Sequence, residues 1–251
     1  MKHFYLTLIF LATAFSASAN DALSAAQKAD EFYRHANYDT AIALYESALA
    51  QGQASADLYY NLGNAYYRNG QNGLAILNYE RALRLRPNMS DAKDNLALAE
   101  SKTADRIAVL PKLFFVQWYT DLSHSLSPTG WRIVWLCLLT LLMASIVLLR
   151  IGHTLSLRKT GLIAGIILLT LLILASFLWG SSAARFNSHS EAIVMQPAIT
   201  VKSSPEHQSV DKLILHEGSK VRITESLSGW YKIVLSDGTT GWCEPSAVER
   251  I

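Results

Sequence analysis

Two apolar runs, Ile133–Leu149 and Leu162–Trp179, constrain this chain more than any other feature. A helix rises about 1.5 Å per residue, so each run just spans a hydrocarbon core of roughly 30 Å. Neither run holds a charged side chain, and one at the bilayer centre would cost a few kcal/mol or more. Between them lies a short segment, residues 150–160, with Arg150, Arg158 and Lys159 and no acid. Basic loops stay in the cytoplasm, so the pattern predicts a two-helix hairpin over residues 128–180 whose flanks share the opposite side.

The N-terminus points the same way. Met1-Lys2-His3 is a positive start, Phe4–Phe15 an apolar stretch, and Ala17-Ser18-Ala19 a small-residue cleavage site. That is the layout of a secretory signal peptide over residues 1–19, with an uncleaved anchor as the alternative. Cys137 lies inside the first run and Cys243 near the C-terminus, so no disulfide framework is expected. The formal net charge of +2 provides no basic field for nucleic acid.

Residues 20–103 carry an internal repeat. Ala29, Gly63 and Ala97 are equally spaced, and the same interval separates Phe32 from Tyr66, Ala41 from Ala75, Tyr45 from Tyr79, and Ala48 from Ala82. The clearest copy reads Tyr59, Leu62, Gly63, Tyr66, Ala75, Tyr79, Ala82 and Pro87. Its residues and its period of about 34 residues resemble the tetratricopeptide repeat, a helix–turn–helix unit. Small residues bring the two helices close, the tyrosines fill the space between them, Asn69-Gly70 breaks the chain and Pro87 stops the second helix. A weaker copy precedes it. In a third, Glu100 replaces the aromatic and no second helix follows, so two and a half repeats are expected.

On a helical wheel of about 100° per residue, Tyr59, Leu62 and Tyr66 face one way. Asp57, Asn64 and Arg68, with Tyr60 and Tyr67 beside them, face the other; Asp30, Tyr33 and Arg34 hold the equivalent places one repeat earlier. In proteins with similar repeats that second face lines a concave groove holding an extended peptide. The resemblance therefore implies peptide binding by Tyr33, Arg34, Asp57, Tyr60, Asn64, Tyr67 and Arg68. The competing reading is the solvated polar face that every surface helix has.

Residues 104–127 form a juxtamembrane segment in which aromatic and leucine residues recur at helical spacing, among them Phe114, Phe115, Trp118, Tyr119 and Leu122. An interfacial helix and a linker packed on the last repeat both fit. Ser127-Pro128 reads as an N-cap with proline at the first helical position. Gly161 and Gly165 give a small-xxx-small spacing that either seats the two spans together or joins two copies of the chain.

Residues 186–251 change to short strands. Ala192–Val201, Lys220–Thr224 and Trp230–Leu235 have strand character, and Asp237-Gly238 is a hairpin signal. Gly218, Gly229-Trp230-Tyr231-Lys232-Ile233, Asp237-Gly238 and Gly241-Trp242 together resemble bacterial SH3-like domains, which implies a small β-barrel that binds peptide or cell-wall material. Trp230 and Trp242 are then either an aromatic shelf for that ligand or part of the core, since a barrel this small needs large residues inside.

No nucleophile elbow, phosphate loop or zinc cluster occurs, and the seven histidines show no metal-ligand spacing. The expectation is a non-enzyme without metal or cofactor. The fold class expected is multidomain: an α-helical tetratricopeptide-repeat solenoid, a transmembrane hairpin and an SH3-like β-barrel. This order resembles the BatE-type proteins of the aerotolerance (Bat) operons of Gram-negative bacteria. That resemblance implies an inner-membrane scaffold with both soluble modules periplasmic, linked to envelope or oxidative-stress tolerance. Its implied partners are Bat proteins with von Willebrand A domains and a MoxR-type ATPase; peptidoglycan is the alternative.

Overall fold

Several helices begin at a capping side chain. The computed structural model describes residues 25–108, 113–188 and 190–251; residues 1–19, expected to be a signal peptide, lie outside them. Helix α1 covers residues 25–34. It is followed by α2 (Tyr38–Ala50), α3 (Ala56–Arg68), α4 (Asn72–Leu85) and α5 (Ser90–Glu100). The Asn37 side chain accepts from the Thr40 amide at the start of α2, and Ser55 does the same for Leu58 at the start of α3. Gly52 and Gly70, both with positive φ, turn the chain out of α2 and α3.

The helices pack through the repeated small residues. Ala29, Ala41, Ala48, Ala65, Ala75 and Ala82 are fully buried, and Tyr45 and Tyr79 are 1% exposed. Gly63 lets α3 meet α4, because a Cβ there would lie 2.7 Å from the Tyr79 ring. After α5 the chain leaves the helical stack through Thr103 and Asp105.

The C-terminal segment is a seven-stranded antiparallel sheet in the order β3-β2-β6-β5-β4-β1-β7. The strands are β1 (Glu191–Val194), β2 (Ala198–Lys202), β3 (Asp211–His216), β4 (Lys220–Leu227), β5 (Trp230–Val234), β6 (Thr240–Cys243) and β7 (Val248–Arg250). The single strand expected over Ala192–Val201 is two, broken around Pro197. The closed barrel expected from the sequence is also corrected: β3 and β7 each pair with one neighbour only. At β7 the Arg81 guanidinium of α4 donates to the Arg250 carbonyl at 2.9 Å.

The chain divides into two compact units. The first joins the helical stack and the β-sheet, so segments on either side of the hairpin pack together. Gly73 donates its amide to Glu217 at 2.8 Å, and Lys220 bridges Glu80 at 2.7 Å and Glu191 at 3.2 Å. Ile193 and Ile251 of the sheet enter the apolar core of the helices. From the linker, Asp105 accepts from the His216 amide at 2.6 Å and the Ser219 hydroxyl at 2.5 Å, with the His216 ring at 2.8 Å.

The second unit holds α6 (Phe114–His124), α7 (Pro128–Ile151) and α8 (Leu155–Asn187). Helices α7 and α8 are long and apolar enough to cross a membrane. Ser127 caps α7 through the Gly130 amide, with Pro128 in its first turn. Thr154 caps α8, so the segment between the two helices is only Gly152–Thr154, where residues 150–160 were expected. Gly161 sits against α7: a Cβ there would lie 2.9 Å from the Leu149 nitrogen, and the Ser145 hydroxyl donates to the Gly161 carbonyl at 2.6 Å. This glycine seats the two helices of one chain on each other.

Candidate functional site

The helical stack carries a groove of about 380 Å³ lined by Gln27, Asp30, Tyr33 and Arg34 of α1, Tyr45 of α2, and Asn61 and Asn64 of α3. Its floor is a hydrogen-bond triad. Asp30 Oδ1 accepts from the Tyr45 hydroxyl at 2.5 Å and from Asn61 Nδ2 at 3.2 Å. The same triad recurs one repeat later: Asn64 Oδ1 accepts from the Tyr79 hydroxyl and from Asn95 Nδ2, both at 2.8 Å. Each member lies one full repeat period after its counterpart. An acceptor on one helix thus ties together the next two helices.

The triads fix the protonation of their tyrosines. Burial, reinforced by the Asp30 carboxylate, pushes the Tyr45 hydroxyl well above its ordinary range. Burial does the same to Tyr79. Both stay neutral donors at any physiological pH. Around this floor the groove presents the exposed Arg34 and the half-buried Tyr33, whose ring packs edge-on against Tyr38 at 5.5 Å.

The tetratricopeptide-repeat family model matches residues 26–90. No curated protein matches the chain. The matched repeats therefore contain the whole groove and the first triad.

Of the seven residues expected to bind peptide, Tyr33, Arg34 and Asn64 line the groove. Asn64 is also a structural member of the second triad. Tyr60 is half-buried, 6.1 Å from the Tyr79 ring, and its hydroxyl accepts from Asn95 at 3.2 Å. Tyr67 lies beneath the Lys102 ammonium, 4.0 Å from its ring centre. Arg68 is exposed, and a hydrogen bond with the Tyr33 hydroxyl raises its pKa. Asp57 is exposed in the first turn of α3, away from the groove lining.

Sequence reasoning placed Tyr45 one repeat before Tyr79 without giving it a role at the groove, and it overlooked Gln27 and Asn61. The signal for Asn61 was present, because Asn95 stands one repeat later.

In the sheet, Trp230 and Trp242 are 7% and 9% exposed. The His207 ring lies 5.1 Å from Trp230, and the Lys232 ammonium lies 5.7 Å from the Trp242 ring. Both indoles are therefore packed, with little face open to a ligand. Among the described residues, no three His, Cys, Asp or Glu side chains form a metal-binding group.

Proposed function

We propose that this protein is a membrane-anchored scaffold whose helical repeats hold an extended segment of a protein partner. The groove bounded by Tyr33 and Arg34 carries this reading. It is open, it lies within the matched repeats, and its floor is held rigid by hydrogen bonds, so little ordering cost falls on binding. The union of the helical stack and sheet in one unit supports a hairpin whose flanks share a compartment. The basic residues near its turn, Arg150, Arg158 and Lys159, support a cytoplasmic turn and periplasmic soluble modules in a bacterial inner membrane. We read the C-terminal sheet as an SH3-like module and the protein as a non-enzyme. We further read its setting as a Bat-type assembly linked to envelope or oxidative-stress tolerance, with von Willebrand A-domain proteins and a MoxR-type ATPase system as partners.

A photo-crosslinking side chain in place of Arg34, activated in native membranes, is expected to capture a von Willebrand A-domain membrane protein. Adding Arg68→Ala is expected to weaken that capture. Equal labelling from Lys93, an exposed position outside the groove lining, would sink the proposal. Peptidoglycan anchoring through Trp230 and Trp242 is the competing function; it requires the full protein, in detergent, to sediment with purified sacculi.

A further inference from the structure

The second unit contains an apolar surface that the hairpin does not account for. On α6, Phe114 is 83% exposed and Trp118 68%, with Phe115 beside them at 53%. At about 100° per residue these three share one arc of the helix, while Gln117, Asp121 and His124 fill an adjacent polar arc. The remaining side packs on α8: the Tyr119 hydroxyl donates to the Phe177 carbonyl at 3.2 Å. Just beyond α6, the Ser182 hydroxyl of α8 donates to the Leu126 carbonyl at 3.2 Å. Trp131 of α7 ties back to α6 through the Ser123 carbonyl at 3.1 Å.

These bonds set the depth of α6. Two stretches of helix measure it, Lys159 to Phe177 along α8 and Trp131 to Arg150 along α7. At a rise of about 1.5 Å per residue both come to about 27–29 Å, nearly one hydrocarbon thickness from the basic turn. The neighbouring Trp135 and Trp179 rings, 6.1 Å apart, mark the same level with the residues that favour a headgroup boundary.

We infer that α6 is a lipid-interface helix: Phe114, Phe115 and Trp118 insert among the lipids at the membrane face opposite the basic turn. The polar arc stays in water, and the bonds to Phe177 and Ser123 hold the helix at that depth. The inference rests on the hairpin reading, and the test separates the two.

Full-length protein carrying Cys137→Ala, with the buried Cys243 left in place, takes a single NBD-labelled cysteine at Phe114, Trp118, Gln117 or Leu141. It is reconstituted into phosphatidylethanolamine–phosphatidylglycerol vesicles. Labels at Phe114 and Trp118 should emit to the blue of the Gln117 label. They should be quenched more by lipids brominated near the carbonyl than by lipids brominated near the chain end. The Leu141 label should show the opposite preference.

Water-like emission at Phe114 and Trp118 with Leu141 quenched would overturn the inference and leave the hairpin standing. Unquenched label at Leu141 would overturn both. Blue emission at Phe114 that grows with protein density and ignores brominated lipid would overturn it too, assigning the surface to a second copy of the chain.

Discussion

Asn64 shows how one side chain can hold a repeat together. Its oxygen accepts from Tyr79 and Asn95, as the Asp30 carboxylate accepts from Tyr45 and Asn61. Asn64→Leu takes the acceptor from the Tyr79 hydroxyl in a half-buried place and leaves the Asn95 amide with its bond to the Tyr60 hydroxyl alone, which should cost about 2 kcal/mol. Asn64→Asp, which copies the first triad, should cost much less. Denaturant unfolding followed by fluorescence in detergent distinguishes them; equal losses would mean that the hydrogen bonds are incidental.

Asp105 gives a second residue-level outcome. Burial works against its charge, but the bonds from the His216 amide, the Ser219 hydroxyl and the His216 ring outweigh it and hold the carboxyl below its ordinary value. A carboxylate depressed on folding adds stability above its unfolded pKa of about 3.9, and that stability is lost as pH falls through the lower folded value. As pH falls below about 4 the wild type should therefore lose more stability than Asp105→Asn, read by acid titration of near-ultraviolet circular dichroism. The correspondence of Tyr45 with Tyr79, one repeat apart, was legible in the sequence. The bonds of Asp105 were not, because a lone acid in a linker belongs to no periodic pattern.

At the scale of elements, hydropathy was the strongest signal. The two long helices appear where charge-free apolar runs lie, and Ser127-Pro128 begins the first of them. The turn between them is shorter than expected because Thr154 starts α8 ahead of the apolar run, so Arg158 and Lys159 ride on its first turns. Gly161 permitted two readings in sequence, and only the backbone approach to Leu149 decides between them. Gly161→Val should drive methyl groups into that backbone and cost about 1–3 kcal/mol. The same change at Gly180, where a Cβ meets nothing within 4 Å, should be tolerated. Titration of helical content with sodium dodecyl sulfate compares the two. In the sheet, the hairpin dipeptide and the tryptophans signalled strands correctly. Closure was overestimated, since alternation along a strand does not reveal whether its outer edge meets another strand or an arginine from a helix.

For the molecule as a whole, the union of helices and sheet lay beyond sequence reasoning. Its polar contacts join residues far apart in the chain through single charged side chains. Lys220 is central. Burial opposes its charge, but Glu80 and Glu191 outweigh that cost and raise its pKa. Lys220→Met would leave the Glu80 carboxylate, 9% exposed, without this cation, and truncating one member of a buried pair is strongly destabilising. Hydrogen exchange should then quicken in α4 between Ile76 and Arg84 while α7 is unaffected. Unchanged protection in α4 would show that the apolar contacts of Ile193 and Ile251 suffice.

The clasp formed by Asp105, Lys220 and Arg81 has a topological consequence. It joins stretches of polypeptide that precede and follow the hairpin, so the backbone is drawn into a loop fastened by non-covalent bonds. Severing the peptide at Gly152–Thr154 would yield two fragments that still travel as one particle, parting only when both that fastening and the seam between α7 and α8 are undone.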